Sequence, residues 1–260
     1  MKKILLTGEN GFLGKNIKRI LKNKKFYIIK KPKNQKKYTI DLRNPDKVKK
    51  FLFLTKPDLI INTAVKADFK KKSCNEMMNI NFKSVKEMAY YCHKKKKKLI
   101  QISGTIVHPK LKKYSIKSQE KPKNFYGQTK LKADKFIINH KIDYAIIRFG
   151  GIFGSNGPNH LFINKTLRSK KKLKYKGNFN CKRNYVHVQD AAKNIIKLIN
   201  KNRKGIFYCG GEINTFAQML NAIQNKRKIK IDMSFEKDKN IDEIVLNNKI
   251  FKFRKFQQCL

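Results

Sequence analysis

Three glycines near the start of the chain constrain its fold more than any other feature. They separate an apolar run from a segment with helical periodicity, and they are Gly8, Gly11 and Gly14. Gly8 would allow a tight turn, Gly11 would let the backbone approach a pyrophosphate, and Gly14 would let helix and strand pack closely. Because the positive end of the helix would face the phosphates, Phe12 and Leu13 are also predicted to bind the cofactor. The chain has only 13 glycines, so three at this spacing indicate a dinucleotide site rather than a chance loop cluster.

Strand-like and helix-like segments alternate through the first 150 residues. The expected strands are, in chain order, Lys3–Thr7, Phe26–Lys30, Tyr38–Leu42, Asp58–Asn62, Leu99–Ser103 and Tyr144–Arg148. The expected helices are Phe12–Lys22, Asp46–Leu54, about Glu76–His93, and Gly127–Asn139. Repeated β-α-β units with apolar strands predict an α/β fold, a Rossmann-type doubly wound parallel sheet with helices on both faces. We therefore predict a dinucleotide-binding Rossmann domain over residues 1–150.

The regular alternation of expected strands and helices ends after residue 150. Glycine-rich loops follow Gly150, and residues 170–184 are polar without a clear period. A helix, a strand and a second helix are expected later, at Val188–Asn200, Gly205–Cys209 and Thr215–Gln224. We predict a smaller C-terminal substrate-binding lobe, mainly residues 151–260, with a segment near 187–200 that returns to the Rossmann domain.

A tyrosine and a lysine in mid-chain form the candidate catalytic pair. Tyr126 and Lys130 open a predicted helix and lie one turn apart on the same face. A tyrosine with the ordinary pKa of about 10 is a poor base at neutral pH, and a nearby ammonium favours the phenolate. The pair would exchange a proton with the substrate hydroxyl as hydride leaves or reaches the carbinol carbon. A tyrosine four residues before a lysine occurs easily by chance in a lysine-rich chain. The position of this pair after the fifth expected strand is what indicates a catalytic role.

Together these motifs resemble those of the extended short-chain dehydrogenase/reductases, in particular the nucleotide-sugar epimerase, dehydratase and reductase group. The matching segments extend over almost the whole chain and are Thr7–Gly14, Asp41-Leu42, Pro57–Ala64, Asn81, Ile102-Ser103, Tyr126 with Lys130, Arg148 followed by Gly154, and Arg183–Asp190. The resemblance implies reversible hydride transfer between a nicotinamide cofactor and a sugar carbon, with Tyr126 as the acid/base. It also implies that the substrate is a nucleotide-linked sugar.

The resemblance assigns cofactor contacts residue by residue. It implies that Asp41 and Leu42 flank the adenine, and that Ala64 lines the central part of the cofactor. Lys130 would also bind the nicotinamide ribose. The second expected strand ends without the carboxylate that would hold the ribose 2′-hydroxyl of NAD, and Lys31 in that region could meet the 2′-phosphate of NADP. We therefore favour NADP(H), with NAD as the alternative because lysine is abundant everywhere in the chain.

The resemblance also points to two residues on the substrate side. Asn81 and Arg183 are the candidate substrate-binding residues. Arg183 would meet the diphosphate of a nucleotide sugar, which suits the guanidinium fork. The alternative for Arg183 is an ordinary surface arginine, and we expect His187 to be structural.

Two departures from the family pattern bear on the reaction. The family usually places a serine or threonine where this chain has Gly104, to hydrogen-bond the reacting oxygen. Thr105 or Ser103 would supply that hydroxyl instead, and we favour Thr105. The dehydratases carry an Asp-Glu pair where this chain has Thr105 and Ile106, so a dehydratase is disfavoured. A reductase and an epimerase stay open, and so does a catalytically impaired relative that binds a dinucleotide as a sensor or scaffold.

The net charge of +47 could point elsewhere, towards nucleic acid or another anionic partner. Only eight of the 64 basic residues are arginines, and the lysines are spread over nearly the whole chain, as expected from A/T-rich codons. We therefore expect no specific nucleic-acid partner. The five scattered cysteines fit neither a disulfide framework nor a metal site, and no apolar run is long enough to cross a bilayer. We expect a cytoplasmic protein without metal or membrane partner, whose oligomeric state, a homodimer included, is open.

Overall fold

The structure is a computed structural model, and it describes residues 2–22, 26–28, 40–68, 73–158, 161–169, 172–176, 178–236 and 242–260. The chain forms two compact units, each built from separate stretches of sequence. The first comprises Met1–Pro109, Gln119–Arg148 and Ile195–Phe207, and the second comprises Lys110–Ser118, Phe149–Asn194 and Tyr208–Leu260. The return to the first unit, expected near residues 187–200, thus lies at Ile195–Phe207.

The strands and helices fall into two groups along the chain. The first group consists of β1 (Lys2–Thr7), α1 (Phe12–Lys22), β2 (Phe26–Ile28), α2 (Pro45–Thr55), β3 (Leu59–Asn62), α3 (Cys74–Met78), α4 (Ser84–Lys95), β4 (Lys98–Gly104), β5 (Lys113–Tyr114), α5 (Phe125–Asn139) and β6 (Asp143–Phe149). The second group consists of β7 (Ile152–Phe153), α6 (Phe162–Arg168), β8 (Lys172–Lys176), β9 (Lys182–His187), α7 (Val188–Asn200), β10 (Gly205–Cys209), β11 (Glu212–Thr215), α8 (Phe216–Arg227), β12 (Asp232–Glu236) and β13 (Ile244–Val245). None of the helices in the described ranges has the length and hydropathy of a membrane span.

Six strands form the main sheet, in the order β10-β6-β4-β3-β1-β2. Strands β2, β1, β3 and β4 pair in parallel, with Thr7 of β1 opposite Asn62 of β3. The chain passes from β1 to β2 on one side and then crosses to β3 on the other, so the winding reverses between β1 and β3. A switch point of this kind opens a ligand crevice at the carboxyl ends of the strands. The predicted Rossmann-type α/β fold is confirmed.

The inner strands are apolar because both faces of the main sheet are covered. All four residues of β3 are buried, as a strand with helices on both sides requires. Leu5, Ile60, Leu99 and Ile146 come from four neighbouring strands and share one core cluster with side chains of α2, α4 and α5. This cluster is the hydrophobic core of the first unit.

The long helix expected near Glu76–His93 contains a wider turn. Helix α3 ends at Met78, a π-helical turn spans Asn79–Lys83, and α4 continues from Ser84. The expected helix is therefore present, and the extra residue in the π turn changes which of its side chains share a face. Asn81 is the buried residue of this turn. Turns of this type are frequent at functional sites.

The third expected strand, Tyr38–Leu42, is wrong in its described part. Ile40 and Asp41 have no regular structure, and Leu42 lies in a turn. Ile40 and Leu42 nevertheless pack against the core of the first unit. The apolar spacing that suggested a strand therefore reflects the burial of a loop.

Short strands in three small sheets build the second unit. Their orders are β11-β9-β7, β12-β8 and β13-β5. The core of this unit contains Phe153, Phe162, Phe216 and Ile223. Residues 170–184, which are polar without a clear period in the sequence, include β8 and the start of β9. Strand β8 pairs with β12, which lies far along the chain.

Several helices end on a lysine in the left-handed backbone region. Lys56, Lys96 and Lys228 follow α2, α4 and α8 with φ of 47°, 51° and 52°. Lys141, near the end of α5, has φ of 49°. Glycine commonly occupies such positions because it has no Cβ to clash. The Lys56 amide still closes α2 by donating to Leu52 O at 3.0 Å.

The turn between β1 and α1 brings strand, helix and the end of β3 into close contact. Gly8 has φ of 69°, and a Cβ there would lie 2.7 Å from Thr63 Oγ1 and 2.8 Å from Ala64 N. A Cβ on Gly14 would overlap with the carbonyl oxygen of Gly8. A Cβ on Gly11 would lie 3.1 Å from the same oxygen. The geometry therefore requires glycine at positions 8 and 14 more strictly than at position 11.

We expect Gly14→Ala to destabilise the protein by about 1–3 kcal/mol, because its methyl group overlaps with Gly8 O and displaces the turn. In an unobstructed helix the same change stabilises by about 1 kcal/mol, so the sign of the effect is informative. The measurement is the free energy of unfolding in urea, with Gly11→Ala as the control that should cost less. A Gly14→Ala protein more stable than the wild type would contradict this close contact.

Candidate functional site

The turn after β1 and the start of α1 offer backbone amides at the switch point of the sheet. The Gly11 amide donates to Gly8 O at 2.9 Å. The amides of Phe12 and Leu13, as the first of the helix, have no acceptor inside it. The first turn of α1 contains no acidic side chain. Since Gly8 and Gly14 leave no room for a Cβ, these residues fit a dinucleotide pyrophosphate held by amides and by the positive end of the helix.

The other predicted cofactor contacts lie around this turn or outside the described residues. Ala64 borders the glycine turn directly, and Leu42 packs on the core. Asp41 accepts two hydrogen bonds of 3.0 Å from the Arg43 guanidinium, and this pairing lowers the pKa of Asp41. Arg43 is exposed, and the sequence analysis missed it. Lys31 lies outside the described residues.

Helix α5 carries Tyr126 in its first turn, and two local contacts position that turn. Asn124 caps the helix by accepting the Gly127 amide at 2.8 Å. Gly127 lies so close to the turn after β4 that a Cβ on it would be 2.5 Å from Ile106 O. The start of α5 therefore packs directly on the 3₁₀ turn that begins at Thr105. The missing Cβ of Gly127 is the sequence signal that could have indicated this contact.

Lys130 is buried one turn further along α5. Its Nζ donates to Ile102 O of β4 at 2.6 Å. Burial lowers the pKa of this ammonium to about 8, while the Asp134 carboxylate acts in the opposite direction. Burial raises the pKa of Tyr126 to about 12, so its hydroxyl is protonated at neutral pH. The pair therefore combines a proton donor with a lysine whose charge is sensitive to mildly alkaline pH.

The two candidate hydroxyls on either side of Gly104 have different surroundings. Ser103 is buried, and its Oγ donates to Asp134 Oδ2 at 2.8 Å. Thr105 is partly exposed at the start of the 3₁₀ turn, and within the described residues its hydroxyl makes no hydrogen bond. Gly104 itself is extended, with φ of −158° and ψ of 168°, a conformation that any residue adopts. Thr105 is thus the hydroxyl that a ligand can still use.

Beside Lys130 lies a buried cluster of charges that the sequence analysis did not identify. Asp134 is fully buried, and its Oδ2 accepts from Ser103 and from Arg148 Nε, the latter at 3.2 Å. Arg148 of β6 is also buried, and its Nη2 lies 2.6 Å from Glu120 Oε1. Burial raises the pKa of Asp134, and the charges of Arg148 and Lys130 oppose that rise. Positive and negative side chains therefore alternate from Lys130 to Glu120.

Asn81, predicted to bind substrate, is buried in the π turn. Its Oδ1 accepts the Lys66 amide at 2.9 Å, and its Nδ2 donates to Lys66 O at 2.8 Å and to Thr129 Oγ1 at 3.1 Å. Thr129 Oγ1 in turn donates to Tyr126 O at 2.7 Å. Both polar atoms of the Asn81 amide are engaged with the protein. This arrangement favours a role in supporting α5 over contact with a substrate.

Arg183 belongs to the second unit, where it is paired with a carboxylate. Its Nη2 lies 2.9 Å from Glu243 Oε1, and Tyr114 donates its hydroxyl hydrogen to Glu243 Oε2 at 3.3 Å. The guanidinium also lies over the ring of Phe216, 5.3 Å from its centroid. These contacts hold Arg183 in one orientation, and a phosphate bound there would have to replace Glu243. The sequence carried no signal for Glu243.

Comparison with known proteins gives matches over most of the chain. The family model described as the RmlD substrate binding domain matches residues 1–235. An ADP-L-glycero-D-manno-heptose-6-epimerase from Brachyspira hyodysenteriae is 24% identical over 263 residues, covering 86% of this chain and 81% of the relative. A dTDP-4-dehydrorhamnose reductase structure from Clostridium acetobutylicum has a TM-score of 0.83 at 23% identity, over 99% of this chain and 96% of the other. A dTDP-4-dehydrorhamnose reductase from Bacillus anthracis in complex with NADP has a TM-score of 0.82 at 19% identity, over 99% and 97% of the two chains.

We expect Lys130 to titrate near pH 8 instead of near its ordinary 10.5, because burial disfavours the ammonium. Since the pKa is lower in the folded state, the unfolded chain binds more protons between these values, and the contribution of Lys130 to stability rises with pH there. The measurement is NMR of the lysine ¹³Cε resonances as a function of pH, with Lys130→Met to assign the signal. A titration near pH 10.5 would contradict the burial of this amine.

Proposed function

The chain belongs to the family of the RmlD substrate binding domain, and we propose that it is an NAD(P)-dependent reductase of a nucleotide-linked 4-keto sugar. The observation that carries the proposal is the packing of α5, which contains Tyr126 and Lys130, against the end of β4 and the turn that begins at Thr105. These elements belong to the same unit as the glycine turn that fits a pyrophosphate. A proton donor, a lysine and an uncommitted hydroxyl beside a dinucleotide fold are the parts that carbonyl reduction needs.

In this proposal each residue has one task at the carbonyl oxygen. A reduced nicotinamide, when bound, supplies the hydride that reaches the carbonyl carbon. Tyr126 donates its phenol proton to the oxygen as negative charge develops there, and Thr105 Oγ1 donates a hydrogen bond to the same oxygen. The Lys130 ammonium stabilises the phenolate left on Tyr126. Because burial raises the pKa of Tyr126, its hydroxyl carries at neutral pH the proton that reduction requires.

The glycine turn and its neighbours would hold the cofactor. The amides of Phe12 and Leu13 would bind the pyrophosphate, Ala64 would line the central part, and Lys130 would bind the nicotinamide ribose. We favour NADP(H), because the exposed Arg43 guanidinium stands beside the residue predicted to flank the adenine and suits a 2′-phosphate. The Bacillus anthracis reductase, which has the same fold, was solved with NADP, in line with this choice.

Arg183 stays our candidate for the diphosphate of the substrate. A guanidinium fork matches phosphate oxygens in the way that it now matches the Glu243 carboxylate. Binding would therefore exchange one anion for another without moving Arg183 far from its place over Phe216. For Asn81 we propose a supporting role, because its amide is already bonded to Lys66 and Thr129.

An epimerase is the second candidate, because the Brachyspira hyodysenteriae relative carries that name. Oxidation of a sugar hydroxyl would require Tyr126 to accept a proton, and its raised pKa opposes this step. The two functions differ in their balance of cofactor. A reductase consumes one reduced nicotinamide for each sugar, whereas an epimerase inverts the sugar with no net change of the cofactor.

We expect incubation with a panel of nucleotide-linked 4-keto sugars to give net oxidation of NADPH and a reduced sugar. Tyr126→Phe should lower kcat about 10²–10⁴-fold, because the proton donor at the carbonyl oxygen is lost. Its Kd for NADPH, measured by fluorescence titration, should stay close to that of the wild type. Inversion of a nucleotide-linked 4-hydroxy sugar, incubated in parallel, with no net change of the cofactor would identify an epimerase. NADPH binding without turnover of any sugar would identify a sensor. Unchanged turnover by Tyr126→Phe would exclude the mechanism.

We expect Thr105→Ala to lower kcat about 100-fold, because it removes a hydrogen bond to the developing oxyanion. Ser103→Ala should act mainly on stability, since its hydroxyl is bonded to Asp134. Because Gly104 is extended, Gly104→Ser in the Thr105→Ala background should restore part of kcat. Steady-state kinetics at matched fractions of folded protein check these outcomes. A larger loss of kcat in Ser103→Ala than in Thr105→Ala would show that the wrong hydroxyl has been chosen.

A further inference from the structure

We propose that Asp134 is a positioning residue of this reaction, a buried counter-charge that keeps the Lys130 ammonium charged and fixes α5 to the end of β4. Asp134 acts through Lys130 and Ser103, and its charge also raises the pKa of Tyr126. The part of the proposal that concerns catalysis rests on the proposed function. The part that concerns the charge of Lys130 can be tested without any substrate.

Two successive turns of α5 form hydrogen bonds with two consecutive residues of β4, and this geometry supports the proposal. Lys130 and Asp134 are four residues apart and therefore lie on the same face of the helix. Lys130 Nζ donates to Ile102 O at 2.6 Å, and Ser103 Oγ donates to Asp134 Oδ2 at 2.8 Å. Consecutive residues of the strand thus bind consecutive turns of the helix. Since β4 ends at Gly104, this double contact sets where the next turn, with its free hydroxyl, begins relative to the helix.

The second support is the cost of burying Lys130. An ammonium removed from water needs a nearby negative charge. Asp134 supplies such a charge, and it raises the pKa of Lys130 against the effect of burial. Asp134 is 0% exposed, so water screens its charge little. Its Oδ1 has no hydrogen-bond partner among the described residues, and Lys130 Nζ donates its hydrogen bond to Ile102 O. The carboxylate therefore acts through its field and leaves the remaining N–H groups of Lys130 for a ligand.

The third support is the balance of charge around the pair. Arg148 of β6 favours the ionised form of Asp134 against the effect of burial, because Nε and Nη2 both lie 3.2 Å from Asp134 Oδ2. Glu120, which precedes α5, pairs with Arg148 on its outer side. His108, after β4, interacts with both Arg148 and Glu120, and burial lowers its pKa, which favours the neutral ring. The π turn faces α5 with the uncharged Asn81. Asp134 is thus the negative group of this cluster that lies next to Lys130 on α5.

The experiment compares Asp134→Asn with Glu120→Gln in the full-length protein. Asp134→Asn keeps the size of the side chain and an acceptor for Ser103 but removes the charge next to Lys130. The pH at which Lys130 titrates, followed by ¹³Cε NMR, should fall by about one unit or more. The alkaline limb of the pH profile of kcat/KM should shift to lower pH by the same amount. At pH 8, kcat should fall about fivefold or more with little change in KM, because less of Lys130 is charged. Glu120→Gln removes the outer carboxylate and should leave the titration of Lys130 in place.

Asp134→Asn could leave Arg148 buried without its anion, so a second variant guards against failure to fold. Asp134→Asn combined with Arg148→Met removes both charges of the pair, a change that folded proteins tolerate better than the loss of one partner. Lys130 should again titrate at lower pH in this double variant. Titration of Lys130 at the wild-type pH in either folded variant overturns the proposal. A lowered titration in a protein that turns over no nucleotide sugar would support the counter-charge and overturn the proposed function instead.

Discussion

Helix α5 is fixed to the end of β4 at successive turns, and the candidate site depends on this contact. Gly127 lies against the turn after the strand, Lys130 bonds to Ile102 O, and Asp134 accepts from Ser103. The contacts of Lys130 and Asp134 are hydrogen bonds inside a core, where water cannot replace a lost partner. A shift of the helix by one residue would leave a charge or a carbonyl without its bond. Electrostatics therefore sets the position of the helix along the strand, whereas apolar packing alone would tolerate a range of positions.

The parts of the fold that could be predicted have local signals. The runs that form β1 and β3 are short and apolar, and the close contacts at Gly8 and Gly14 explain why glycines stand between β1 and α1. The π turn at Asn79–Lys83 could not be predicted, because a single wider turn hardly changes the average spacing of apolar residues. Strand β8 could not be predicted either, because its ladder forms with β12 and depends on how the chain between them folds.

Some residues of the candidate site could likewise be predicted from the sequence, and others could not. Tyr126 and Lys130 could be named from their spacing and their place after a strand. The choice between Ser103 and Thr105 could not, because it depends on which hydroxyl is already bonded inside the protein. Asp134 looks like an ordinary helical residue in the sequence, since its partners come from two strands that meet it only in the fold. Glycine and tyrosine motifs thus indicate the candidate site, and long-range contacts decide which neighbouring residues support it.

The left-handed lysines at the helix ends have a consequence for the evolution of this chain. A residue with a Cβ in that region costs about 1 kcal/mol or more, in a molecule whose net stability is small. Lys56, Lys96 and Lys228 lie outside the buried charge cluster and the glycine turn. A single substitution that relieves the strain at one of these lysines would raise the stability of the protein. It would leave both the charge cluster and the glycine turn unchanged. Mutations that change the site and destabilise the fold can therefore be compensated by stabilising substitutions at these distant turns. The ability to acquire a new substrate thus depends partly on residues that do not contact the substrate.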